Sequence, residues 1–162
     1  SKLERTKSYG AEVIPYDRFG LLRFGQSQRE ECLTHYGPPE SICKNRELVE
    51  EFHYNAFVVR FDPKTNAVQE CTLLPGAVAT IDGMELTWDQ DFLRQACDRD
   101  GDPLDSLGFI VLKKLGIAVS GIHDHDKPQL AVTVFRKGLW DDVRTVPFLW
   151  QLEASWDPYD AE

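Results

Sequence analysis

The chain has 162 residues, of which 42% are hydrophobic and 28% are charged, and its formal net charge is −9 at pH 7. This length suits one domain with a substantial core, so the fold needs neither disulfides nor a structural metal. No apolar run in the sequence approaches the length of about 18 residues that a membrane-spanning helix needs. Residues 1–12 also lack the apolar centre of a signal peptide. We therefore expect a cytoplasmic protein without membrane association.

The negative charge is concentrated in two segments. Residues 82–105 carry eight acidic and two basic residues, and residues 139–162 carry six acidic and one basic residue. The affinity of proteins for nucleic acids comes mostly from Lys and Arg at phosphates, and these segments would repel a phosphate backbone. We therefore expect no nucleic-acid partner. An acidic surface suits a basic protein partner instead.

The chain begins with a predicted strand region and a short helix. Residues 13–24 are rich in aromatic and β-branched side chains, which favour strands. Ser27, followed by Glu30, resembles a capping box, and Gly37 is a typical stop signal, so a helix is predicted from Ser27 to Tyr36. Its apolar face would contain Gln28, Cys32, Leu33 and Tyr36.

A β-hairpin is predicted next. Residues 40–51 form a polar stretch, after which residues 52–61 are rich in aromatic and branched side chains. Residues 62–66 have the composition of a turn, and residues 68–74 return to an apolar run.

The second half repeats this order. Residues 77–86 predict a strand region broken at Asp82-Gly83, a dipeptide that accepts the positive φ of a tight hairpin turn. Thr87 and Gln90 resemble a second capping box before a helix. The apolar stripe of that helix would contain Trp88, Phe92, Leu93, Ala96 and Cys97, and the helix would end at residues 100–103.

The remaining chain predicts further strands and an ambiguous segment. Residues 108–112 and 115–122 predict either a pair of strands or one bent strand. A polar turn is predicted at 123–127, and a last strand at 129–135. Residues 138–152 fit either a short helix at 140–145 or an irregular aromatic segment. The tail, residues 155–162, is expected to be mobile.

Together these elements predict the fold class. The same order of apolar run, capped helix and hairpin occurs twice, about sixty residues apart. The prediction is a single α+β domain, 1–162, with a mostly antiparallel sheet and two principal helices. Its two pseudo-repeated strand-helix-hairpin units would be residues 13–75 and 76–137.

The sequence lacks the common motifs of catalytic and metal sites. It contains no GxSxG, HExxH, phosphate loop or dinucleotide fingerprint, so no catalytic residue is predicted. Residues 98–102 lack the glycine and glutamate spacing of a calcium loop, and His123 and His125 fall in a turn, so no metal or cofactor is expected. The cysteines lack metal-ligand spacing, which favours buried free thiols in a reducing compartment: Cys32, Cys43, Cys71 and Cys97.

One short pattern resembles a known family. Residues 23–27 (RFGQS), 31–33 (ECL) and 36–39 (YGPP) are similar to the glycine, capped helix, leucine and glycine-proline pattern of β-lactamase inhibitor protein-like repeats. This resemblance implies tandem helix-plus-sheet units. Small acidic α+β proteins of this kind include many bacterial immunity proteins, which neutralise a secreted toxin by tight binding.

These observations lead to a binding protein as the functional hypothesis. Exposed acidic residues and a tryptophan would meet a basic toxin, such as a nuclease, through a surface composed of Asp98, Asp100, Asp102, Trp140, Asp141 and Asp142. The first alternative is a small hydrolase or metal-dependent enzyme that uses His53, His123 or His125 with nearby carboxylates. The second is a structural component that binds its own copies.

Overall fold

The computed structural model describes residues 10–149, and within them the chain forms an α+β fold of two helices and mostly antiparallel strands. The first half contains β1 (Ala11–Ile14), β2 (Arg18–Phe19), β3 (Leu22–Arg23), α1 (Arg29–Tyr36), β4 (Ser41–Lys44), β5 (Glu50–His53), β6 (Phe57–Phe61) and β7 (Val68–Leu73). The second half contains β8 (Ala79–Ile81), β9 (Met84–Glu85), α2 (Gln90–Asp100), β10 (Leu104–Ser106), β11 (Phe109–Leu112), β12 (Ile117–Ser120), a 3-10 turn (Lys127–Gln129), β13 (Ala131–Phe135) and β14 (Val146–Pro147).

The strands form two sheets. The larger sheet has nine antiparallel strands in the order β14-β10-β11-β12-β13-β7-β6-β5-β4, and the smaller one has the order β3-β2-β1-β8-β9. Each half of the chain gives short strands to the smaller sheet, then a helix, then a meander of four strands to the larger sheet. The last strands of the two meanders, β7 and β13, pair with each other. The larger sheet is therefore continuous from one half of the chain to the other.

One face of the larger sheet forms the main core. Side chains alternate between the two faces of a strand, so residues that pair across neighbouring strands share a face. One such row crosses six strands, and every member is at most 1% exposed: Phe52, Val59, Cys71, Val134, Ile117 and Leu112. Helix α2 packs against the core through Phe92, Leu93, Ala96 and Cys97. Burial of this apolar area is the main stabilising contribution.

Helix α1 begins one residue later than the capping box predicts. Its N-cap is Gln28, which makes no side-chain capping bond. Ser27 lies before the cap, where its hydroxyl accepts the backbone N–H of Arg23 and donates to the carboxylate of Glu31. The prediction of a capping box from Ser27 to Glu30 is therefore wrong, because the hydroxyl is engaged by the preceding turn. The predicted stop at Gly37 is confirmed.

Helix α2 is capped by a different residue from the one predicted. Asp89 is the N-cap, and its carboxylate accepts the backbone N–H of Phe92 at 3.1 Å. The Thr87 hydroxyl donates to the same carboxylate at 2.6 Å, and the Gln90 amide donates to the Ile122 carbonyl at 2.6 Å. The carboxylate thus replaces the predicted Thr87 cap. The helix ends at Gly101, whose φ of 82° favours glycine.

The predicted hairpins are confirmed and several boundaries change. Residues 62–66 join β6 to β7, and Asp82 and Gly83, with φ of 51° and 81°, join β8 to β9. The polar stretch 40–51 contains the whole of β4 and the beginning of β5, which the sequence did not predict. All four residues of β4 are exposed at the sheet edge, so they lack the apolar alternation that identifies a half-buried strand.

The segment after β13 is irregular. Residues 137–142 form turns and 143–145 are irregular, so the helix considered at 140–145 does not form, and β14 follows. The predicted tail at 155–162 lies outside the described residues. Neither described helix is long and apolar enough to cross a membrane.

Candidate functional site

The acidic residues of the predicted binding surface lie in different environments. Asp98 on α2 and Asp102 just after it are exposed, as are Asp141 and Asp142 in the turn after β13. Asp100, by contrast, is only 1% exposed. A buried carboxylate cannot contact a partner, so the prediction that Asp100 belongs to the binding surface is wrong.

Asp100 instead connects α2 to the turn between β11 and β12. One carboxylate oxygen accepts the backbone N–H of Lys114 at 2.8 Å, and the other accepts that of Asp102 at 3.1 Å. Both bonds satisfy backbone donors next to a helix end, where such groups lack partners in the helix itself. Asp100 is therefore a structural residue.

The two acidic segments approach each other near Tyr16. The Tyr16 hydroxyl donates to the carbonyl of Lys113. The pKa of Tyr16 is raised, first by burial and then by the negative charges of Asp141 and Asp100. Because Asp102 donates its N–H to Asp100, the exposed Asp102 and Asp141 belong to the same region of the molecule.

Trp140 is half-buried and makes contacts within the chain. Its ring stacks on Phe135 with a centroid distance of 5.2 Å and meets the Phe109 ring edge-on at 5.8 Å. Its indole N–H donates to the Glu70 carboxylate at 2.8 Å. This places Trp140 against a second hydrophobic cluster on the outer face of the larger sheet, with Val111, Ala118 and Phe135. Its packing role is therefore established, and a role in partner contact stays a prediction.

A polar network covers the other half of that outer face. Arg60 donates through Nε to Glu51 at 2.8 Å, and through a terminal nitrogen to Glu70 at 3.2 Å and to the hydroxyl of Thr72 at 2.6 Å. Burial alone would raise the pKa of Glu51, but hydrogen bonds from His53 and Arg60 and the charge of Arg60 lower it to about 2. Glu51 is therefore held as a carboxylate.

At the edge of this network the fold brings together Cys43, Glu51 and His53. The Cys43 sulfur lies 3.4 Å from Glu51 Oε1 and 3.4 Å from His53 Nε2, and the latter two atoms are 2.9 Å apart. The pairing of β4 with β5 places Cys43 opposite Glu51, and His53 follows two positions along the same face. Within residues 10–149 this is the one group of three potential metal ligands.

The group does not have the arrangement of a cysteine nucleophile with a histidine base. Partial desolvation and the Glu51 carboxylate raise the pKa of the Cys43 thiol, with Arg60 acting in the opposite direction. The same imidazole nitrogen contacts both the sulfur and the carboxylate, whereas an activating histidine uses one nitrogen for each. The three donors are instead suited to holding a cation.

Two members of this group, Cys43 and Glu51, are not among the candidate residues predicted from the sequence. Cys43 was expected to be buried with the other cysteines, but it is exposed, while Cys32, Cys71 and Cys97 are buried and free as predicted. Glu51 lies in the polar stretch 40–51, where the sequence predicted no strand. The usable signal was the alternation of Glu51, Phe52 and His53, which is the period of a half-buried strand.

The other two histidines of the enzyme alternative have different surroundings. His123 packs against the Phe148 ring at 5.7 Å, and its Nε2 lies 3.9 Å from Asp124. His125 has a φ of 55° in the turn before the 3-10 helix. Neither belongs to a group of three ligands in the part of the chain that the structure describes. Of the three histidines considered, only His53 has such partners.

A cavity of about 370 Å³ lies where the smaller sheet, the end of α1 and the turn between β5 and β6 meet. Its wall is largely aromatic and aliphatic, and its lining includes Phe19, Tyr36, Tyr54, Phe57, Leu73 and Val78. The Tyr54 hydroxyl donates to the Gly37 carbonyl at 2.9 Å, and the Tyr36 hydroxyl accepts the Leu21 N–H at 3.3 Å. Both polar groups are thus engaged within the chain.

Comparison of the chain with protein-family models, curated proteins and solved structures gives no match. The resemblance to β-lactamase inhibitor protein-like repeats therefore stays a prediction from the sequence.

Proposed function

We propose that this chain is a non-catalytic binding protein, an immunity or inhibitor protein that neutralises a basic protein toxin. The contact surface of this proposal consists of the exposed Asp98, Asp102, Asp141 and Asp142. The observation that carries it is that Asp141 and Asp100, from acidic segments more than thirty residues apart in sequence, both lie near enough to Tyr16 to raise its pKa. Asp100 also accepts the backbone N–H of the exposed Asp102. Trp140 would contribute its partly exposed edge.

The physical argument is electrostatic complementarity. A protein that cleaves nucleic acids must attract phosphate, so its cleft is basic. An acidic surface on the inhibitor speeds association with such a cleft and selects against other partners. Lys113 and Lys114 make the turn beside Tyr16 positively charged. The attraction to a basic partner would therefore come from the exposed aspartates and not from this turn.

The proposal includes a bacterial, cytoplasmic setting, in which an immunity protein meets its toxin. The free thiols of all four cysteines support a reducing compartment.

The first test is co-purification of the chain with the product of the reading frame next to its gene. The complex is then titrated at low and high salt. We expect tight binding that weakens steeply as salt rises, because screening reduces the attraction between opposite surface charges. Absence of a complex would contradict the proposal.

The second test assigns the binding to the acidic surface. The double variant Asp98→Lys/Asp141→Lys should lower the association rate by about tenfold or more and reduce its salt dependence. The matched control is Glu40→Lys/Glu47→Lys, which makes the same change of net charge at two exposed positions elsewhere. Equal association rates for the two double variants would refute the electrostatic part of the proposal.

A further inference from the structure

Three side chains that can each bind a metal ion, a thiol, a carboxylate and an imidazole, lie together at one edge of the larger sheet. Cys43 is exposed on the edge strand β4, and Glu51 and His53 lie beside it on β5. The side chains of Cys43, Glu51 and His53 share one face because of the antiparallel register and the two-residue period of the strand. Regular strands, rather than a loop, thus position all three donors.

The separations of the donor atoms are close to those of a tetrahedral metal site. Bond lengths of about 2.0 Å to oxygen or nitrogen and about 2.3 Å to sulfur imply ligand separations of about 3.3 Å between N and O and about 3.5 Å to sulfur. The observed separations are 2.9 Å between His53 and Glu51 and 3.4 Å from the Cys43 sulfur to each of them. Side-chain shifts of about half an ångström would therefore complete the geometry.

Arg60 orients the Glu51 carboxylate and leaves the metal-binding oxygen free of its own hydrogen bond. It binds Glu51 Oε2, whereas Glu51 Oε1 faces Cys43 and His53. Arg60 is fixed in turn by Glu70 and Thr72. Partners of this kind orient metal ligands and tune their basicity.

We propose that Cys43, Glu51 and His53 bind Zn²⁺, with a water molecule as the fourth ligand. A thiolate combined with an imidazole favours zinc over the hard cations Mg²⁺ and Ca²⁺, which prefer oxygen ligands. Binding transfers the Cys43 proton to solvent, so the sulfur coordinates as a thiolate. The proposal concerns this chain alone and does not depend on the proposed toxin partner.

The test is calorimetric titration of the full metal-free chain with Zn²⁺ alone, in buffers of different ionisation enthalpy that reveal proton release. We expect one equivalent to bind, with release of a proton, and no saturable binding of Mg²⁺ or Ca²⁺. Cobalt should give a thiolate-to-metal absorption band that is absent from Cys43→Ser. Zinc should also protect Cys43 from alkylation.

Two variants at exposed or half-exposed positions make the test specific. Cys43→Ser and His53→Gln should each weaken zinc binding by more than about tenfold, since even outer partners of a metal site contribute about 10- to 100-fold. The control His35→Gln changes a histidine on α1, outside the group, and should leave binding unchanged. Absence of saturable zinc binding, or equal affinity in Cys43→Ser, His53→Gln and the unaltered chain, would overturn the proposal.

Discussion

Thr72 and Thr133 face each other across the two central strands of the larger sheet, with their hydroxyl oxygens 3.0 Å apart. Each is 7% exposed, and they lie on the last strands of the two meanders. Thr72 also accepts a hydrogen bond from Arg60. This pair therefore joins the two halves of the chain and connects their junction to the polar network.

The contact between Thr72 and Thr133 predicts that substitutions at these two positions have non-additive effects on the free energy of unfolding. Thr133→Val should lower the free energy of unfolding by about 1 kcal/mol, because a buried hydroxyl loses its partner. In the double variant Thr72→Val/Thr133→Val the loss should differ from the sum of the single losses by at least about 0.5 kcal/mol. Urea denaturation measures all three variants, with Thr80→Val in the smaller sheet as the control. Additive losses would contradict the coupling.

Replacing a leucine by alanine should destabilise the protein more on α2 than on α1. Leu93 on α2 is fully buried, so Leu93→Ala should lower the free energy of unfolding by about 2 to 5 kcal/mol through lost burial and a cavity. Leu33 on α1 was predicted to lie on an apolar face but is 41% exposed, so Leu33→Ala should cost less than about 1 kcal/mol. Chemical denaturation provides both values, and a larger loss for Leu33→Ala would disprove the burial pattern.

Asp100 and Asp98 provide a matched pair on the same helix. Asp100→Ala should lower the free energy of unfolding by about 1 to 3 kcal/mol, because two backbone N–H groups lose their acceptor. Asp98→Ala should change it by less than about 0.5 kcal/mol, since that side chain is exposed. Thermal and urea unfolding measure the difference. If the two variants are equally stable, the structural role assigned to Asp100 is incorrect.

The N-cap of α2 predicts a pH-dependent contribution. The Thr87 hydroxyl and the backbone N–H of Phe92 lower the pKa of Asp89 below its ordinary value of 3.8. A carboxyl whose pKa is lower in the folded state stabilises the fold above the unfolded pKa and loses that contribution as pH falls through the folded pKa. At pH 7, Asp89→Ala should therefore cost about 1 kcal/mol.

That cost should shrink as pH falls below about 3.8, where Asp89 of the unfolded chain takes up a proton, and should disappear as pH falls through the lower pKa of the folded state. The measurement is the difference in urea midpoint between the variant and the unaltered chain from pH 7 to pH 2. Asp91→Ala is the control, because Asp91 lies in the same helical turn but is not the cap. An equal cost for both variants at pH 7 would show that the cap contributes nothing specific.

The local sequence pattern was sufficient to predict those elements that have a strong apolar periodicity or characteristic turn residues. The helix with Phe92, Leu93 and Ala96 on one face was predictable because those residues recur at helical spacing. The hairpin at Asp82-Gly83 was predictable because that dipeptide tolerates positive φ. Edge strand β4 was not, because an exposed strand obtains its hydrogen bonds from a neighbour and carries no apolar signature.

The sequence by itself determined the α+β class, the presence of the two helices, the turns at 62–66 and Asp82-Gly83, and the concentration of acidic residues in two segments. It could do so because periodicity, turn residues and charge are properties of neighbouring positions. Only the tertiary structure decided that Asp100 is buried, that Trp140 packs on Phe135, and that Cys43 meets His53. Those outcomes depend on strand register and on contacts between distant residues, which one-dimensional patterns do not contain.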